Sequence, residues 1–142
     1  MTNLPDGLEE ILAEETYERQ NKGEVQDAIN RLGVNVSETF FEFYNKYTGP
    51  FWEESVPFEL LDIVEDTNTI ESYTMISRKE HEFPKQYLVL SEMSANAVLV
   101  LDTNTDGVYK VNFEGGDELL KKGELKETWS TFYDFLVEYF NC

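Results

Sequence analysis

Residues 87–113 read YLVLSEMSANAVLVLDTNTDGVYKVNF and carry the clearest β pattern in the chain. Three short runs rich in apolar residues are separated by polar turns, and they cover residues 87–90, 97–101 and 108–113. The middle run is apolar at every position, which predicts a central strand that is buried on both faces. Asp106-Gly107 is typical of a tight hairpin turn. The stretch therefore predicts an antiparallel β-meander.

Helical patterns precede this meander. Residues 8–19 place apolar residues among many glutamates and predict an acidic amphipathic helix. A second helix is predicted over 24–32, with Gly33 in position for a left-handed C-terminal cap. Ser37 is a typical N-cap for a third helix, whose Phe and Tyr residues occupy nearly every face and predict burial.

The remaining segments complete the predicted order of elements. Residues 57–63 are mostly apolar and predict a strand, 66–78 predict a helix with Ile70, Tyr73, Met75 and Ile76 on its apolar side, and 114–127 form a polar connection. The closing segment 130–140 has the spacing of an amphipathic helix. We predict an α+β fold with N-terminal helices, an antiparallel meander and a closing C-terminal helix packed on the sheet. The predicted buried residues are Phe40, Tyr44, Leu99, Phe132 and Leu136.

Length and composition limit the classes of protein that fit. The 142 residues suit one domain, which we divide into an acidic helical segment 1–23 and a core 24–142. Twenty-nine acidic residues against 11 basic ones give a net charge of -18, which disfavours direct binding to nucleic acid or anionic membranes. The charge fits a cationic partner, and it also fits simple solubility. With no signal peptide and no apolar run near 20 residues, we expect a cytoplasmic protein.

No catalytic or metal-binding pattern emerges from the residue types. His81 is the one histidine and stands among charged residues, so we expect a solvated side chain, and Cys142 is the one cysteine. Residues 102–107 resemble the start of a calcium loop, but Phe113 stands where the terminal glutamate belongs, so a hairpin turn is favoured. The paired carboxylates are expected by chance in so acidic a chain. We therefore predict no enzyme, cofactor or metal.

Phe51-Trp52-Glu53-Glu54 has the composition of an interface anchor, because an aromatic ring stands beside carboxylates. The alternative is that both rings cap the core. A second candidate is the loop 92–96 between two strands. We predict a partner-binding surface formed by Trp52, Glu53, Glu54, Glu59, Asp62 and Glu92.

Three stretches resemble the SUKH superfamily, the cell-wall-assembly-regulator-like domain family used by bacteria as immunity proteins. They are the aromatic helix running into 44–49, the meander 87–109 with Asp102 after its central strand, and 129–136, which is similar to the closing helix of that family. Together they span about residues 24–142.

This resemblance implies a non-catalytic protein that binds and neutralises a polymorphic bacterial toxin. A basic nuclease toxin suits the acidic chain, because a nuclease must attract phosphate. A regulatory or scaffolding interaction module, as in fungal relatives, is the first alternative. An enzyme or small-ligand binder is the second.

Overall fold

The computed structural model describes residues 3–20, 23–64 and 68–142. In this part of the chain the helices are α1 Leu8–Ile11, α2 Glu24–Leu32, α3 Glu38–Lys46, α4 Ile70–Glu80, α5 Gly116–Lys121 and α6 Phe132–Phe140, with a 3-10 turn at Glu15–Tyr17. The strands are β1 Tyr87–Val89, β2 Ala97–Asp102 and β3 Val108–Asn112. The mixed α+β class predicted from the sequence is confirmed.

The strands form an antiparallel meander in the order β1-β2-β3. Leu88 pairs with Leu101, and Val100 pairs with both Val89 and Tyr109. At the hairpin between β2 and β3, Asp106 adopts a left-handed φ of 68°. The Asp102 carboxylate accepts a hydrogen bond from the backbone of Asn104, so this loop is a structured turn, as predicted.

Both faces of the sheet are buried, because helices or loops pack on each. Leu88, Leu99 and Leu101 point into a large cluster that includes residues of α1, α2, α3 and α6. Val98 and Val100 point to the opposite face, into a smaller cluster. The expectation that the middle strand is buried on both sides is confirmed.

The large cluster has an aromatic centre formed by α3 and α6. The Phe40 and Phe132 rings lie 5.0 Å apart, and Phe43 contacts both Tyr44 and Phe132. The Ser37 side chain caps α3 by accepting a hydrogen bond from the Phe40 backbone, as predicted. All five residues predicted to form the core are buried without measurable exposure.

The acidic helix predicted over 8–19 is wrong beyond its first turn. α1 ends at Ile11, and the segment around Tyr17 runs beside the end of α3 instead. The backbone of Thr48 donates to Tyr17, and that of Arg19 donates to Lys46, which forms a short extended pairing. Since a continuous helix would need these backbone groups for its own hydrogen bonds, the pairing excludes it.

The strand predicted over 57–63 is also wrong, because only Leu60 makes bridges, to Phe51 and to Ser91. Instead of a neighbouring strand, the buried Tyr139 hydroxyl provides hydrogen bonds to the backbone there. It accepts from the Leu60 backbone at 3.1 Å and lies within hydrogen-bond distance of the Phe51 and Phe58 carbonyls. A side chain from α6 therefore supplies hydrogen bonds to the backbone of this loop. The local sequence of the loop could not show this.

Two helical predictions need correction. The polar connection 114–127 contains α5, because Leu120 is buried against the second face of the sheet.

The predicted helix 66–78 is α4, whose N-cap Thr69 forms a capping box with Ser72. Residues 66 and 67 of the predicted helix lie outside the described residues. Met75 and Ile76 are exposed rather than buried, since Thr74 and Ser77 face the sheet side instead.

Candidate partner-binding surface

Trp52 projects from a loop whose two ends are joined by hydrogen bonds. The backbones of Phe51 and Leu60 bond reciprocally, at 2.8 and 2.9 Å. Phe51 points inward and its ring stacks on that of Tyr17, 5.7 Å away. Neighbouring residues of an extended chain point to opposite sides, so Trp52 faces outward and is 65% exposed. The capping alternative is therefore right for Phe51 and wrong for Trp52.

The loop 52–59 is anchored from beneath by two apolar side chains. Val56 and Phe58 are buried in the large cluster. Between them and Trp52, Glu54 is exposed and Glu53 is half-buried. An exposed ring and acidic side chains are thus held on a loop that the core fixes in place, an arrangement suited to presenting a preformed contact surface.

Glu59 and Glu92 are brought together, because the residues next to them, Leu60 and Ser91, form an antiparallel bridge. Burial, followed by the charge of Glu92, raises the pKa of Glu59. Burial is also the largest cause that raises the pKa of Tyr139, with smaller contributions from the charges of Glu53 and Glu59. These predicted residues therefore share one acidic region of the surface.

Tyr73 is a member of this region that the sequence did not indicate as one. Its hydroxyl donates to the Glu92 carboxylate at 3.2 Å. Burial and the charges of Glu92 and Glu59 raise the pKa of Tyr73, so the hydroxyl keeps its proton at neutral pH. The helical spacing had placed Tyr73 on the apolar side of α4. Only the packing of α4 against β1 reveals its contact with Glu92.

Asp62 is a correction to the predicted surface. Its side chain is 2% exposed and forms a buried ion pair with Arg19. The same carboxylate accepts from the Gly49 backbone at 2.9 Å. Because these groups enclose it, Asp62 cannot contact a partner directly. It instead ties the segment after the 3-10 turn to the loop that follows α3.

The residues with the greatest catalytic potential lack catalytic surroundings. His81 follows the last residue of α4 as its C-cap, outside the helix as predicted, but it is half-buried with its ring 4.9 Å from that of Phe113 and so is only partly solvated. Burial raises the pKa of the Cys142 thiol, which disfavours the thiolate. Among the described residues, no group of three His, Cys, Asp or Glu side chains could hold a metal ion.

None of the helices within residues 3–20, 23–64 and 68–142 has the length and apolar character needed to cross a bilayer.

Comparison with known proteins identifies one family. The model of the SMI1/KNR4 family (SUKH-1) matches residues 21–138. No curated protein matches the sequence. The family match covers α2 through most of α6, and with them the whole meander and the Trp52 loop.

Proposed function

The chain belongs to the SMI1/KNR4 family (SUKH-1), and from this membership we propose that it is a non-catalytic immunity protein that binds and neutralises a cognate bacterial toxin. We propose further that it acts in the cytoplasm and that the toxin is basic, as a nuclease domain would be. The single observation that carries the binding role is the exposed Trp52 beside Glu53, Glu54, Glu59 and Glu92.

The physical case for a basic partner rests on charge at two scales. The net charge of -18 attracts a cationic protein over long distances and speeds productive encounter. At short range, Glu59 and Glu92 repel each other, so a partner's Lys or Arg placed near both would relieve that repulsion. Trp52 supplies apolar area that a partner pocket could bury.

Co-expression with the toxic domain encoded beside its gene tests this proposal. We expect cells to survive only when both proteins are made, and the two to co-purify. Survival without co-purification would contradict neutralisation by binding. If no such neighbouring gene exists, the regulatory or scaffolding role becomes the better explanation, because an exposed aromatic surface serves that role equally.

Catalytic inertness is tested on the same system with His81→Gln and Cys142→Ser together. Neither side chain belongs to a catalytic constellation among the described residues, so we expect the double variant to protect cells as well as the wild type does. Circular dichroism would control for folding. Loss of protection by a folded double variant would show that chemistry, and not binding alone, is required.

A further inference from the structure

The second face of the sheet is covered unevenly. At one end α5 closes it, where the Tyr87 hydroxyl donates to the Leu120 carbonyl at 3.2 Å. At the other end, between α4 and the loop that follows β1, lies an open groove of about 230 Å³. Its lining is mostly apolar and includes Tyr73, Ile76, Val89, Met93, Val98 and Phe113.

The orientation of α4 explains why this groove has apolar walls. Thr74 Oγ1 accepts a hydrogen bond from the Val89 backbone at 2.9 Å, which fixes the rotation of the helix against β1. In that rotation Tyr73 and Ile76, three residues apart, lie on the groove side. Ile76 is 46% exposed and Met93 on the facing loop is 55% exposed. Two large apolar side chains therefore stand open to solvent on either side of the groove.

The charge around the groove differs between its two ends. Glu92 lines one end, where it accepts from Tyr73 and lies near Glu59. His81 lines the other end, and its backbone carbonyl accepts from Lys121 at 3.1 Å. The acidic end is continuous with the loop that carries Trp52, because Ser91, next to Glu92, bridges to Leu60 at the end of that loop. A cation is therefore favoured at the Glu92 end, next to an apolar floor.

We propose that this groove receives one large apolar side chain of the partner, presented beside a Lys or Arg that pairs with Glu92 and Glu59. The identity of that partner as a basic toxin rests on the proposed function. The preference of the groove for an apolar side chain beside a cation is independent of that function, because it follows from the apolar walls and the carboxylates. Met93 suits the role, since its flexible thioether adapts to the shape of an incoming side chain. The groove adds shape selection to a surface that otherwise attracts by charge.

A titration followed by ¹H–¹⁵N NMR tests the groove without any toxin. The probes are 4-phenylbutylammonium, which carries ring and cation, 4-phenylbutyrate, which carries the ring with the opposite charge, and butylammonium, which lacks the ring. We expect the first to shift the amide signals of Val98 and Phe113 and to bind about threefold or more tightly than the second, as an exposed ion pair allows. No shifts at the groove, or equal binding of both ring compounds, would overturn the proposal.

Variants test whether a protein partner uses the groove. We expect Ile76→Ala and Met93→Ala each to weaken binding of the neighbouring gene's toxic domain roughly tenfold, as loss of an interface anchor does. Met75→Ala is the matched control, because Met75 is 49% exposed on the same helix but does not line the groove. Equal affinity in all three variants and the wild type would overturn the proposal. If the wild type fails to bind that domain, the proposed function fails instead, and the titration alone decides on the groove.

Discussion

Arg19 lies in an acidic stretch of sequence, yet its side chain is buried behind the end of α3. Its guanidinium donates to the Tyr44 carbonyl and to the Asp62 carboxylate. Because the desolvation of such a pair is costly, the pair adds little net stability, but loss of one partner leaves a buried charge unpaired and destabilises the fold. A single buried pair therefore holds three separate segments of chain in register.

We expect Arg19→Met to lower the free energy of unfolding by about 3–5 kcal/mol, because Asp62 would keep a buried charge without its main counter-ion. Urea denaturation measures this. The matched control is Arg31→Met, which breaks the partly exposed ion pair of Arg31 with Glu71 and should cost at most about 1 kcal/mol. Similar costs in both variants would contradict a special role for the buried pair.

Glu59 offers a prediction about the titration of a single carboxyl group. Its pKa is raised first by burial and then by the charge of Glu92. Replacing Glu92 with Gln removes the second cause and leaves the first, so the pKa of Glu59 should fall but remain above the ordinary value of about 4.3. A ¹³C NMR titration of the Glu59 carboxyl group in both proteins measures this directly.

The sign of the associated stability change follows from linkage. Because the folded protein raises the pKa of Glu59, ionisation of that carboxyl group opposes folding. This cost is absent below the pKa of the unfolded chain, grows as the pH rises and is complete above the folded-state pKa. An unchanged Glu59 titration in Glu92→Gln would show that the two carboxylates do not interact.

At the scale of elements, the accuracy of the sequence predictions depends on whether a segment's partners are local. α2, α6 and the strands were predictable, since their periodicity, caps and turn residues are all contained within the segment. The structure of the segment 57–63 was not predictable, because its backbone bonds to a hydroxyl from α6 and not to a neighbouring strand. The approach of Tyr73 and Glu59 to Glu92 likewise depends on the packing of distant segments, so the sequence could suggest acidic candidates but not their arrangement.

α6 provides the stability prediction at this scale. Phe132 is fully buried and its ring lies 5.0 Å from that of Phe40 and 5.7 Å from that of Phe135. We expect Phe132→Ala to cost about 3–5 kcal/mol through lost burial and the cavity left behind. Tyr133→Ala, on the exposed side of the same helix, should cost much less. A denaturation midpoint unchanged by Phe132→Ala would contradict the position of α6 in the core.

For the molecule as a whole, long-range charge and apolar surface contacts act in different steps of association. The excess of acidic residues creates a field that extends over the whole surface, and physiological salt screens it over about 8 Å. Such a field governs how often a basic partner arrives. Contacts that exclude water, at Trp52 or in the groove beside Met93, govern how long it stays. Mutations in the two classes should therefore change different rate constants.

The Trp52 loop allows this separation to be tested on one structural unit. Glu53→Lys with Glu54→Lys should slow association with the toxic domain and reduce its dependence on salt, because two negative charges become positive. Trp52→Ala should mainly speed dissociation, because the ring is exposed and available to a partner pocket. It should leave the unfolding midpoint nearly unchanged, whereas Phe51→Ala, next to it in the buried cluster, should lower that midpoint strongly. Stopped-flow kinetics at several salt concentrations, with denaturation of each variant as the folding control, gives both answers. Wild-type rates in the double lysine variant would exclude this loop as the contact surface, because a basic partner that contacted the loop would be repelled by the two new lysines.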